Sequence, residues 1–79
     1  MERITEAEAG LNIDKLEKKV SSFLSLYPTD TIELTDLSET AYDLLKKYFG
    51  EGYVTEGIIN VLRTEGNEIN YTLHIKRKE

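Results

Sequence analysis

Ile13, Leu16, Val20, Phe23, Leu24 and Tyr27 recur mostly at intervals of three and four, the period of one helical face. The spacing predicts a helix that opens after Asn12, a suitable N-cap, and closes by Tyr27, because Pro28 restricts the residue before it to extended backbone. Thr31-Ile32-Glu33-Leu34-Thr35 then alternates and is rich in β-branched residues, the pattern of a short strand with Ile32 and Leu34 inward. Asp36 with Glu39 three residues later has capping-box spacing, with Ser38 as a competing cap. A second helix is predicted from about residue 37 to 49. Leu37, Ala41, Leu44, Leu45 and Tyr48 form its apolar stripe, and Gly50 follows its last turn.

After the Gly50-Glu51-Gly52 turn, residues 53–63 are rich in Val, Ile, Thr and Tyr, with a bulge expected at Gly57. Glu65-Gly66-Asn67 turns the chain. Residues 69–76 alternate throughout, placing Ile69, Tyr71, Leu73 and Ile75 inward and Asn70, Thr72, His74 and Lys76 outward. Two strands across a short Gly-Asn loop make a hairpin. Residues 1–10 carry only Met1 and Ile4 as large apolar groups and read as a flexible arm, or a single turn with capping spacing from Thr5 to Glu8. The expected fold is α+β: one small domain over residues 11–79, ordered helix-strand-helix-strand-strand, with a three-stranded sheet ending in the hairpin.

Ile58-Ile59 and Val61-Leu62 put aliphatic groups on both faces of the central strand, which simple alternation does not bury if one sheet face is wet. Either the two helices take one face each, or a second copy covers one face. A domain of 79 residues buries only about 60% of its unfolded surface, which favours a homodimer with Ile58 and Leu62 at its interface.

Composition narrows the chemistry. There is no cysteine, so neither disulfides nor thiolate metal sites support the fold. No apolar run reaches the roughly 18–20 residues that cross a bilayer, and the N-terminal residues lack the basic and apolar regions of a signal peptide. A cytoplasmic protein without membrane attachment is expected. A lone histidine, His74, on the outer side of a strand, with no nucleophile motif near it, argues against an enzyme. No cofactor and no metal are expected, since the zinc spacings, the calcium loop and the phosphate loop are all missing. The net charge of -5 opposes a general grip on DNA or RNA, which depends on Lys and Arg neutralising phosphates.

Charge is distributed unevenly. Between Lys19 and Lys46 the chain has no basic residue, while Asp30, Glu33, Asp36, Glu39 and Asp43 all fall inside that gap. Each acid has a local explanation: a turn, the polar half of a strand, a helix start, or a pairing with Lys47. Ordinary surfaces nevertheless intersperse the two signs. In size, acidity, absence of cysteine and absence of catalytic groups, the chain resembles the small acidic DNA-mimic inhibitors that phages and mobile elements use against host DNA-binding proteins. The resemblance rests on these five carboxylates, in the middle part of the chain. It implies a partner with a basic DNA-binding surface, nucleoid-associated or regulatory, and no direct contact with nucleic acid. The alternatives are a winged-helix-like nucleic-acid-binding regulator, suggested by the helices, hairpin and basic tail, or a structural small subunit. A winged helix needs a further helix before its hairpin, and Gly50 to Tyr53 leave no room for one.

Overall fold

The computed structural model describes residues 2–5, 12–62 and 68–78. Its elements are β1 (Glu2–Thr5), α1 (Ile13–Leu26), β2 (Thr31–Leu37), α2 (Glu39–Gly50), β3 (Tyr53–Leu62) and β4 (Glu68–Arg77). The sheet has four strands in the order β1-β2-β4-β3, which corrects the three-stranded expectation while keeping the α+β class. The added strand is β1, where an arm or turn was expected; it pairs parallel to β2, with Ile4 beside Leu34. Four residues with one large apolar side chain give almost no periodic signal. They form a strand because β2 offers them an unpaired edge and the core a place for Ile4, which is 1% exposed. Glu8, and with it the capping spacing from Thr5, lies outside the described residues, as does the Glu65-Gly66-Asn67 turn.

β1, β2 and β3 run parallel, and β4 is inserted antiparallel between β2 and β3. Both helical crossovers advance across the sheet in the same direction. Crossovers of one hand, the rule for parallel connections, then set both helices on the same face. The core agrees: Leu16, Val20 and Leu24 of α1 and Leu45 and Phe49 of α2 join Ile4, Ile32, Leu34, Leu37, Leu73 and Ile75 in one buried cluster. The other face, bearing Arg3, Glu33, Thr35, Thr72, His74 and Lys76, carries no helix. One helix on each face is therefore not the arrangement adopted.

Local chemistry sets the helix limits. Asn12 caps α1 as expected, its side chain accepting the Lys15 N–H at 3.2 Å, and the helix ends at Leu26 before Pro28. α2 is capped by Ser38, whose Oγ accepts the Ala41 N–H at 3.2 Å, and not by Asp36. Residues 36 and 37 belong to β2. A bulge between Leu34 and Leu37 opposes Thr35 and Asp36 to the single residue Thr72, and Asp36 takes a left-handed backbone with φ of 56°, which Asp tolerates better than most residues. The extra residue restores phase. Without it Leu37, three positions after Leu34, would point to the wet face; with it, Leu37 is 1% exposed in the core. The stripe of α2 is accordingly Ala41, Leu45 and Phe49, and Leu44 and Tyr48 stay 50% and 39% exposed. Gly57 pairs with Leu73 in an unbroken β3–β4 ladder, so the bulge lies in β2 and not at Gly57.

Candidate functional site

Strand register arranges the open face in rows. Arg3, Glu33, His74 and Glu56 lie side by side across all four strands. The Glu33 carboxylate accepts from Arg3 Nε at 3.2 Å and from His74 Nε2 at 3.3 Å. Glu33 is therefore engaged within the molecule, and its side chain is only 14% exposed. Next to this row stand Thr5 and Thr35, paired on β1 and β2, and Thr72 on β4, whose Oγ1 accepts from Asn60 Nδ2 at 2.7 Å. Asn70 Nδ2 donates to Asp36 Oδ1 at 3.2 Å. The face is polar and internally hydrogen-bonded on β1, β2 and β4, with Val54 and Ile58 exposed on β3, and among its described residues the one aromatic ring is that of His74, which is held against Glu33.

The five acids of the basic-free stretch do not form one surface. Asp30 stands before β2 and Asp36 near its far end, about 20 Å apart at 3.3 Å per residue, beyond the Debye length of about 8 Å at physiological salt. Asp30 shares its end of the sheet with Lys76, Arg77 and Lys78, which line a shallow groove with Pro28 and Thr29. Glu33 sits between the ends. Asp36, Glu39 and Asp43 gather at the opposite end, where β2 leads into α2 and all three are exposed. The topology brings a further exposed acid there, Glu68 at the start of β4, whereas Asp14, in the first turn of α1, stands one turn from Glu17 and within electrostatic reach of the Tyr48 hydroxyl. α2 starts at this end because it follows a parallel strand. Lys46 and Lys47 follow Asp43 by one turn of α2, and Lys46 Nζ reaches back to 5.5 Å from the Tyr42 ring. No sequence signal marks Glu68 as sharing this end of the sheet with Asp36, since only the strand order places it there.

Along the sheet the charge is thus uneven, acidic at one end and mostly basic at the other, while α1 carries Lys15, Lys18 and Lys19. The two ends of the sheet, about 20 Å apart by the strand rise, are more than two Debye lengths from each other at physiological salt. Negative charge beside helix N-termini is also favourable in itself.

Among the described residues, Asp30 and Tyr48 depart from their ordinary titration. A hydrogen bond from the Thr31 N–H, at 2.7 Å, holds the Asp30 carboxyl below its ordinary value of 3.8. A group whose pKa is depressed by folding stabilises the fold above its unfolded pKa and loses that contribution as pH falls through the folded one. Asp30→Asn is therefore expected to flatten the acid limb of stability below about pH 4, measured by urea unfolding between pH 2 and 7. A limb unchanged by the substitution would mean that the Thr31 bond has no part in it. The Tyr48 hydroxyl donates to Glu17 Oε2 at 2.6 Å, tying α2 to α1, and this bond raises the phenol pKa because ionisation would break it.

Among the described residues, no group of three His, Asp or Glu side chains is placed to hold a metal ion, no helix is long and apolar enough to cross a membrane, and no third helix stands between α2 and the hairpin. No protein-family model, curated protein or solved structure matches this chain.

Proposed function

We propose that this protein is a small binding module whose acidic end, formed by Asp36, Glu39 and Asp43 with Glu68, engages the basic DNA-contacting surface of another protein and competes with DNA for it. The observation that carries this reading is the grouping of the exposed carboxylates of β2, α2 and β4 at one end of the sheet, with Lys76, Arg77 and Lys78 at the other and Lys15, Lys18 and Lys19 on α1. A field of one sign steers a partner of the opposite sign. One patch of Lys and Arg cannot neutralise phosphates and carboxylates together, so binding the module excludes DNA. Glu33 and Asp30 lie outside this surface. The setting for such a role is the cytoplasm, in contact with nucleoid-associated or regulatory proteins.

The test is displacement of fluorescent duplex DNA from basic DNA-binding proteins recovered with the module at low salt. Glu39→Lys with Asp43→Lys is expected to reduce competition at least tenfold, and raising salt from 50 to 300 mM should weaken the intact protein's binding. Glu2→Lys with Glu51→Lys changes net charge equally, but at the opposite end of the sheet, and should have a much smaller effect. Equal losses in the two variants would reduce the effect to net charge. A shift of DNA by the module alone at physiological salt would overturn the reading.

A further inference from the structure

The two edges of the sheet differ. β1 is four residues long, two of them charged, whereas β3 runs from Tyr53 to Leu62 with Glu56 as its single charge and no Pro, Lys or Arg. Its ladder to β4 is regular over the whole length. Edge strands are ordinarily protected by shortness, lysine, proline or a bulge, because their outer N–H and C=O groups template another strand. β3 has none of these protections. Among the described residues, nine large apolar side chains remain exposed, and four of them, Val54, Ile58, Ile59 and Val61, are on β3. Ile59 and Val61 are on the helix-bearing face, at 64% and 57% exposure, and Ile58 is on the open face at 38%. This accounts for aliphatic residues on both sides of the strand without a helix on each face.

We propose that β3 is the contact between two copies of this chain, paired antiparallel about a two-fold axis through Ile58, so that two four-stranded sheets become one of eight. The occupant is a second copy because the strand complements itself. With the axis at Ile58, residues 54 to 62 of each copy pair: Ile58 meets Ile58, Glu56 meets Asn60, Val54 meets position 62, Thr55 meets Val61, and Gly57 meets Ile59. Ile58 then gains an apolar neighbour, Val61 lies beside Thr55, Ile59 meets the glycine over which the Tyr42 hydroxyl lies, and the carboxylate gains an amide. Other registers are poorer. An axis at Glu56 opposes two carboxylates, one at Gly57 sets Glu56 against Ile58 and Asn60 against Val54, and one at Asn60 shortens the pairing to residues 58–62. The axis stands perpendicular to the sheet and keeps both helical layers on one side. The assembly closes at two, since the remaining edges are the short β1 strands. The acidic ends stay outside the contact, so this pairing does not depend on the functional reading above.

Because the chain lacks cysteine, single cysteines report the register. Directly opposed residues on antiparallel strands have Cα atoms about 4.5–5.5 Å apart, within disulfide range, whereas residues 56 of the two copies stand about 13 Å apart at 3.3 Å per residue. Under mild oxidation Ile58→Cys should form a covalent dimer and Glu56→Cys should not. Sedimentation equilibrium at several hundred micromolar should give twice the 9.1 kDa chain mass. Ile58→Lys, which sets two ammonium groups face to face, should return the chain to monomer with an unchanged circular dichroism spectrum. Val54→Lys, farther from the axis, serves as a second variant if that one fails to fold, and should weaken dimerisation at least tenfold. A monomer mass for the intact protein, or a dimer that survives both lysines and cross-links no better through position 58 than through 56, would overturn the proposal.

Discussion

Replacing Leu73 with alanine is expected to cost about 2–5 kcal/mol of folding stability, the range for large-to-small changes in a packed core. Leu73 is fully buried at the centre of the row Ile4, Leu34, Leu73 and Gly57, which crosses the helix-bearing face of the sheet. One cross-strand neighbour is a glycine, with no side chain to move into the vacated space. The other, Leu34, is itself 1% exposed and held between β1 and β4. A cavity should therefore persist, and small domains have only about 5–15 kcal/mol in total. Urea unfolding at one fixed protein concentration should show a lower midpoint at an unchanged slope. A loss below about 0.5 kcal/mol, the size of an ordinary surface substitution, would contradict this placement of Leu73.

Gly57→Ala is expected to destabilise the fold by about 1–3 kcal/mol, the usual penalty of overpacking. A Cβ at position 57 would overlap the Tyr42 hydroxyl and come within 2.6 Å of Cζ and 2.9 Å of Cε1. Tyr42 has little freedom to yield, because its ring stacks on Tyr71 with centroids 4.8 Å apart and Lys46 extends over it. In the background of Tyr42→Ala, itself destabilising, the same Gly57→Ala change should become neutral or favourable. Alanine orders with less loss of backbone freedom than glycine, worth about 0.5–1 kcal/mol. An equal penalty in both backgrounds would show that the clash with Tyr42 is not its origin.

Glycine at 57 also illustrates how far local rules reach. A glycine inside a strand signals a bulge or a close approach, and here it is the close approach of Tyr42 that requires it. The bulge belongs to Thr35 and Asp36, where capping-box spacing was the competing local signal. Asp36, with Glu39 three residues on, and Ser38 are two candidate caps two residues apart. Ser38 prevails because Leu37 reaches the core as a strand residue, and burying a leucine is worth about 1.5–3 kcal/mol against about 1 for a cap.

The acids show the same limit at the level of the surface. Their separation from Lys and Arg along the chain is legible in the sequence, and so is the polar outer register of Glu33. Their division into an end that shares space with Lys76 to Lys78, a middle position bound to Arg3 and His74, and an exposed end with Glu68 is not. Charges on neighbouring residues can be far apart on a strand, and charges far apart in the chain can share an end of the sheet.

What the chain determined by itself is whatever depends on periodicity and local caps: α1 with Asn12 before it and Pro28 after it, the bulk of α2, the hairpin strands, and the inward row of Leu73 and Ile75. These follow from residues within a turn or two of one another, where spacing alone decides which side chains share a face. Only the tertiary structure decided that residues 2–5 make a fourth strand, that both helices cover one face, that Leu37 enters the core from a strand, and that β3 is left as a long apolar edge. Each of these depends on which strand lies beside which. That choice is made by the global competition to bury Ile4, Leu37 and Leu73 and to pair the backbone around them.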